Sequence, residues 1–448
     1  MNLTELFFGD SAASRDPSAV IVLAAVNAGY AHTAFAARCV KAALASCGAA
    51  APDSIRILEF DNQLTPFQIA EKIIAASPRA IGFSVYIWNV CAMRDIMRVI
   101  RAAHPEIRLV VGGPHIVEGD DREGIQALAD AVFFGEIESA IPPIPPPVSP
   151  YRFYADEDIA HRVIYAETSR GCPFRCEYCT SSTTGNIRDF PLAPLSDELG
   201  ILISRGVKRF KFLDRSFNLG GRHSLDVLEF FLRKIDSPDW QLHFEFTPAA
   251  LNAEWRETLK KFPPKTLHLE VGIQTFNEEV ARRIKRPVTS GATIGDTLGF
   301  LIREARASVH ADLIAGLPGE TAESFAAGFD RLLALEPDEL QAGILKNLPG
   351  TPISRHDAEF GTVWNPLPPY QILSWQSVDF ATMRGLERFG KCWDILYNRG
   401  RFRQSAQHLW RDTPSAFASV WDFAEKIYAK HGRLHALSPK TIAAELEA

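Results

Sequence analysis

The sequence predicts an α/β protein: a doubly wound parallel sheet over residues 1–140, a proline-rich linker over 141–160, a partial (β/α)6 barrel over 161–366 and a helical region over 367–448. Three observations predict it. Short apolar runs alternate with segments whose apolar residues recur at helical spacing, the pattern of parallel strands joined by helices. The alternation breaks at "IPPIPPPVSP" (141–150), six prolines in ten residues, and then resumes. It ends for good near Leu367.

The first series of strands reads "AVIVLAAV" (19–26), "SIRILEF" (54–60), "AIGFSVY" (80–86), "RLVVGG" (108–113) and "DAVFFGE" (130–136). Ligands of such sheets sit beyond the carboxyl ends of the strands. Here those ends are "NAGYAHT" (27–33), "YIWN" (86–89), "GGPH" (112–115) and "GEIES" (135–139). Gly112 and Gly113 would let backbone approach a ligand closely, with His115 beside them. No GxGxxG follows the first strand, which disfavours an ordinary dinucleotide site. The prolines lack N–H donors and hold an extended backbone, so 141–150 reads as a stiff linker.

The second series reads "HRVIYAETS" (161–169), "VKRFKFLD" (207–214), "WQLHFEF" (240–246), "TLHLEVG" (266–272), "SVHADLIAG" (308–316) and "ELQAGILKN" (339–347). A parallel barrel built this way keeps its chemistry at the carboxyl ends of its strands. From Leu367 onward segments such as "PSAFASVWDFAEKIYAKH" read as helices.

Composition narrows the function. A chain of 448 residues with 46% hydrophobic and 23% charged residues is ordinary globular protein with ample core. The net charge of -6 and the lack of a long Lys/Arg run give no electrostatic footprint for nucleic acid or an anionic membrane. No apolar window is long enough for a membrane span, and the start "MNLTELFFGDSAASRD" has no secretory pattern, so a cytoplasmic protein is expected. Four of the seven cysteines, Cys39, Cys47, Cys91 and Cys392, are scattered and read as buried apolar side chains.

The other three, Cys172, Cys176 and Cys179 in "SRGCPFRCEYC", fall within eight positions of the loop after the first barrel strand. The spacing Cys-x3-Cys-x2-Cys offers three thiolates to a [4Fe-4S] cluster and leaves the fourth iron open to a small molecule. Zinc would need a fourth ligand from His161 or a distant cysteine, and a redox dithiol would leave Cys172 unexplained.

This motif, placed after the first strand of a six-unit barrel, resembles the radical S-adenosylmethionine (SAM) superfamily. The resemblance implies that SAM chelates the open iron and is cleaved reductively, usually to a 5′-deoxyadenosyl radical. It implies adenine packing at Tyr178. "LEVGIQT" (269–275) is similar to the fourth-strand segment that faces SAM, which singles out Glu270 and Gln274. "ADLIAGLPGET" (311–321) is similar to the fifth-strand glycine motif, which singles out Asp312, Gly316, Pro318 and Gly319. "LKNLPGTPI" (345–353) is similar to the sixth-strand motif. Asp214 and Arg215 of "FLDRSFN", with Asn218, stand where the second strand ends and are candidates for contact with SAM or substrate.

Plainer readings stand beside these. Glu270 could pair with an arginine inside the barrel, Gly316 and Gly319 could only make a turn, and Arg283, Lys285 and Arg286 of "ARRIKRP" could be a solvated helical face or meet the SAM carboxylate.

With an α/β domain in front, the whole chain resembles the cobalamin-binding radical SAM class. That implies cobalamin, although the Asp-x-His-x-x-Gly signature of many cobalamin folds is absent and His32 in "NAGYAHTAF" reads as a capping or core residue. The alternative is a scaffold that only shapes the substrate pocket. The activity the resemblance implies is a transferase reaction on a small-molecule substrate, cobalamin-dependent methyl transfer first, fed by a flavodoxin- or ferredoxin-type electron donor. A cobalamin-free enzyme moving the 3-amino-3-carboxypropyl group of SAM, as in assembly of arsenic-containing natural products, and a non-catalytic cobalamin or iron–sulfur sensor are the alternatives.

Overall fold

The structure, a computed structural model, describes residues 3–9, 20–140, 148–411 and 413–447, so the part 141–147 of the expected linker (141–160) lies outside the described residues. The first part is helix α1 (Leu3–Phe8) followed by β1 (Ile21–Val26), α2 (Phe35–Ser46), β2 (Ile55–Phe60), α3 (Pro66–Ile74), β3 (Ala80–Ser84), α4 (Val90–Ala103), β4 (Arg108–Gly112) and β5 (Ala131–Val132). The strands form one sheet in the order β2-β1-β3-β4-β5 with parallel pairing throughout.

Every residue of β1 is buried, and its side chains divide by parity. Val22, Ala24 and Val26 join Ile81, Phe83, Met93 and Ile96 in one core, whereas Ile21, Leu23 and Ala25 join Leu6, Phe7 and Leu44 in the other. A continuous apolar run is what a strand covered on both faces requires. The last strand is shorter than the run 130–136 suggested, because after Val132 the chain leaves the sheet.

Next come α5 (Asp156–His161), β6 (Ile164–Ala166), the short pair β7 (Ser169–Arg170) and β8 (Arg188–Asp189), α6 (Leu192–Ser204), β9 (Arg209–Phe212), α7 (Gly221–Leu232), β10 (Gln241–Phe246) and α8 (Ala253–Lys260). Then follow β11 (Leu267–Gln274), α9 (Glu278–Arg283), α10 (Gly291–Arg303), β12 (Ser308–Ala315), α11 (Ala322–Leu333) and β13 (Glu339–Ile344). All six expected barrel strands are present, in the sheet order β13-β12-β11-β10-β9-β6. Strict sequential order is that of a partial barrel.

Burial alternates along β11 and β12, which sets an apolar face against a face carrying His268, Glu270 and Gln274 on one strand and His310 and Asp312 on the next. A barrel filled by its own side chains would be apolar there. This one keeps polar groups on that face.

The C-terminal region holds α12 (Asp357–Phe360), α13 (Phe380–Trp393), α14 (Ala416–His431) and α15 (Pro439–Glu447), and also an antiparallel pair, β14 (Val363–Trp364) with β15 (Ile372–Ser374), that helical periodicity did not reveal. Asn398 finishes the β13 edge: its Oδ1 accepts from Leu340 N at 3.0 Å and its Nδ2 donates to Leu340 O at 3.1 Å. Asn398→Ala strands both backbone groups of a buried residue and is expected to cost roughly 2 kcal/mol, read as a lowered melting temperature.

Backbone contacts divide the described residues into two compact units, one from Met1–Ala166, Ala193–Lys211 and Leu348–Gly350, the other from Glu167–Leu192, Phe212–Asn347 and Thr351–Ala448. The division falls after β6 and not at the prolines. In the first unit α5 is tied in by Asp158, whose carboxylate meets the buried Arg38 at 2.7 Å. Among the described residues no helix is long and apolar enough to cross a membrane. Cys39 and Cys392 are buried as expected; Cys47 is half-buried and Cys91 is exposed, since it falls on the outer side of α4.

Candidate functional site

The three clustered cysteines lie in the loop after β7, and none forms a disulfide. Gly171 sets the loop's entry: its φ is +106°, and a Cβ there would collide with the carbonyl of Asn186. Cys172 N then donates to Gly185 O at 2.9 Å, and Cys179 N to Cys176 O at 3.1 Å. Cys172 and Cys176 are buried and Cys179 is half-buried. Burial pushes the Cys176 thiol up, opposed by the Arg286 guanidinium.

Among the described residues no three His, Cys, Asp or Glu side chains converge as a single metal ion requires. A cubane takes each thiolate on a different iron, so its ligands surround a volume and do not meet at a point. Three cysteines in one loop are the donor set that such a cluster takes.

Arg286 holds this loop from the side. Its Nη1 donates to Tyr178 Oη at 2.9 Å and approaches Cys176 Sγ at 3.9 Å, while Nη2 donates to Gly272 O. Burial pushes the Tyr178 phenol up, so it stays protonated. Neither Arg286 nor Arg283 is a solvated face, for Arg283 donates to Pro318 O at 3.0 Å and lies over the Phe360 ring.

Asp214 is buried and turned toward the strand that leads into the loop: it accepts from Thr168 N at 3.0 Å, Thr168 Oγ1 at 2.6 Å and Ser169 Oγ at 2.7 Å. Burial pushes its carboxyl up against these bonds. Asn218 does similar structural work on Thr247, and Arg215 pairs with Glu245 at 3.2 Å.

On the polar barrel face Glu270 pairs with His243 at 3.0 Å, a histidine where an arginine was expected, and Asp312 with His310 at 3.1 Å. Burial pushes the Asp312 carboxyl up. Gln274 ends β11 at a register shift with a positive φ of 70°, and its buried Oε1 has no hydrogen-bond partner among the described residues. That orphaned acceptor is the site's clearest opening for a ligand donor.

Gly316 has φ +96°, and a Cβ there would lie 2.6 Å from the Ile372 side chain, so its backbone is crowded by protein. Gly319, after Pro318, would meet Arg283 in the same way. Next to it Glu320 is buried, accepting from Thr275 Oγ1 at 2.6 Å and Ser324 Oγ at 3.2 Å.

In the first unit packing accounts for the "GGPH" residues. A Cβ on Gly113 would lie 2.6 Å from Val85 O, while Gly112 has only an ordinary neighbour at 3.5 Å. His115 is buried and faces Glu123 at 3.2 Å. His32 Nδ1 is engaged by Tyr165 Oη at 2.7 Å. What the carboxyl edge does present is aromatic surface: Tyr86 and Trp88 stack at 4.3 Å, and Tyr30, Trp88 and Phe134 are exposed. A broad, flat, partly apolar ligand fits such a surface.

Residues 166–332 match the profile of the Radical SAM superfamily, and residues 21–144 that of the B12 binding domain. The chain carries a radical SAM domain, with a B12-binding-type domain in front of it in the sequence. The cofactors that such a domain carries are a [4Fe-4S] cluster and SAM. Residues 358–436 match a family described as a protein of unknown function (DUF4080).

Among curated relatives, the ribosomal protein uS12 methylthiotransferase RimO of Synechococcus sp. (strain RCC307) is 25% identical over 252 residues, covering 52% of this chain and 48% of its own. The tRNA-2-methylthio-N(6)-dimethylallyladenosine synthase of Cutibacterium acnes is 24% identical over 373 residues, 71% of each chain. The radical SAM chain thus spans about half the length of the methylthiotransferase RimO. In fold it is similar to the radical SAM methyltransferase TsrM from Kitasatospora setae, solved with cobalamin and a [4Fe-4S] cluster (TM-score 0.58, 18% identity, 76% of this chain and 78% of that one). It is also similar to the cobalamin-dependent radical SAM enzyme OxsB with aqua-cobalamin (TM-score 0.61, 12% identity, 92% and 71%).

Sequence reasoning missed Glu177, buried between two of the cysteines, along with the partners of Asp214, Glu270 and Asp312. Only the charge at 177 inside a cysteine motif could have signalled the first.

Proposed function

We propose that this radical SAM enzyme binds cobalamin and transfers a methyl group from SAM to a small molecule, with Cys172, Cys176 and Cys179 as the cluster's ligands. The observation that carries this reading is a B12-binding-type domain whose sheet edge exposes Tyr30, Trp88 and Phe134, ahead of a barrel with a three-cysteine loop. When bound, the cluster supplies the electron for reductive opening of SAM, and cobalamin a carrier for the methyl group. The chain's own part is orientation. Tyr178, steadied by Arg286, and the segment from Gly316 to Gly319 would flank the adenine, while Gln274 offers an unused acceptor and Glu270, Asp312 and Arg215 line the polar face.

The methylthiotransferase relatives act, by their names, on a ribosomal protein and a tRNA. The net charge of -6 gives no electrostatic footprint for RNA, and the reading keeps a small-molecule substrate, with electrons from a flavodoxin- or ferredoxin-type donor.

The test is to incubate reduced protein with SAM, with and without cobalamin, and identify the fragments by mass spectrometry. S-adenosylhomocysteine with 5′-deoxyadenosine and methionine is expected when cobalamin is present. 5′-Methylthioadenosine, with no dependence on cobalamin, would replace this reading by transfer of the 3-amino-3-carboxypropyl group.

A further inference from the structure

Glu177 separates Cys176 from Tyr178 and Cys179, and its side chain has no access to solvent. A carboxylate so placed is tolerated only when it is paired. Its partners come from two other segments. Oε1 lies 2.7 Å from Arg355 Nη2 and 3.3 Å from Lys285 Nζ, and Oε2 lies 2.7 Å from His356 Nε2. Its backbone N–H donates to Ile284 O at 3.0 Å. Residues 284–286 follow α9, and 355–356 close the short 3-10 helix Pro352–His356. The middle of the cysteine loop is therefore clamped to the chain that follows the fourth barrel strand and to the chain that follows the sixth.

We propose that Glu177 is a positioning residue for the iron–sulfur cluster: through its ion pairs with Lys285 and Arg355 and its hydrogen bond with His356 it holds Cys176 and Cys179 in the arrangement the cluster needs. Arg355 and Lys285 have about half of their side chains exposed, at 46% and 55%, so water takes over their charges when the carboxylate is lost. The loop's other ties, its backbone bonds together with Arg175 on Ser182 O and Arg286 on Tyr178 and Cys176, do not reach residues 355–356 and cannot replace that clamp. Loss of Glu177 thus acts on the cluster far more than on the fold, which separates a positioning role from mere satisfaction of a buried charge.

The proposal rests on Cys172, Cys176 and Cys179 being the cluster ligands. The experiment follows full-length reconstituted protein under anaerobic conditions, reading iron loss to an Fe(II) chelator and the electron paramagnetic resonance spectrum of the reduced cluster with and without SAM. Glu177→Gln is expected to shorten the half-life of bound iron at least tenfold and to change the SAM-dependent spectrum, with the melting temperature of the metal-free protein nearly unchanged. Glu177→Asp should recover part of both. If Glu177→Gln does not fold, the double variant Lys285→Ala/Arg355→Ala, which removes partners from the surface side, should shorten the half-life in the same direction. Wild-type retention and spectrum in the folded variants would overturn the role of Glu177 alone. A wild-type protein that takes up no iron would overturn the ligand assignment beneath it, and the proposal with it.

Discussion

Alanine in place of any one of Cys172, Cys176 or Cys179 is expected to take anaerobically reconstituted protein from about four irons per chain to background and to abolish SAM cleavage. The loss should not come from unfolding. The loop is tied by its own backbone, through Cys172 N to Gly185 O and Cys179 N to Cys176 O, and these bonds need no metal. What disappears is one of only three thiolates. A cubane left with two protein ligands has two open irons and decays. Cys91→Ala is the control, since that cysteine is exposed on α4 and should leave iron and cleavage intact. Iron analysis with visible absorption before and after reduction checks each variant. Stoichiometric zinc in the wild type, or full iron in a Cys176→Ala protein, would remove the cluster from this loop.

The cysteine loop was legible because three cysteines within eight positions write their spacing directly into the sequence. The strands were legible for a similar reason, since a run such as "IVLAAV" cannot be satisfied except between two covered faces. Pairings across the fold were not. Glu177 meets His356 across 179 positions, and nothing near either residue announces the other. His243 lies one strand from Glu270, yet only the register that sets Glu245 beside Glu270 brings the two within reach. Asp214 and His115 were expected to face ligands because they stand just past strand ends, but each has protein partners, Thr168 for one and Glu123 for the other. Periodicity gives a residue's face and not what waits there. Gly316 teaches the same lesson: a glycine in a cofactor motif suggested room for adenine, and the Ile372 side chain occupies the space where its Cβ would stand. Gly316→Val would therefore test the fold before it tested SAM.

Glu320 carries the second large effect, and its sign follows from burial. The carboxyl is sealed beside the Gly316–Gly319 turn, Oε1 takes the hydroxyls of Thr275 and Ser324, and Oε2 has no hydrogen-bond partner among the described residues. Desolvation outweighs those two bonds and pushes the carboxyl from 4.5 up to about 7. Between these values the folded chain holds a proton that the unfolded chain has released, so stability falls as pH rises through that window and is level on either side of it. A shift of that size corresponds to about 3 kcal/mol across the window. Glu320→Gln keeps the shape and cannot ionise, so it should abolish this slope. Its buried amide adds a cost of its own, roughly 1–3 kcal/mol and independent of pH, which makes the slope and not the absolute stability the quantity to read. Denaturant unfolding of wild type and variant at intervals from pH 4.5 to 8 should show the variant gaining on the wild type with every step up to about pH 7 and no further. Parallel curves would mean that Glu320 titrates alike in the folded and the unfolded chain, which would overturn this account of its burial.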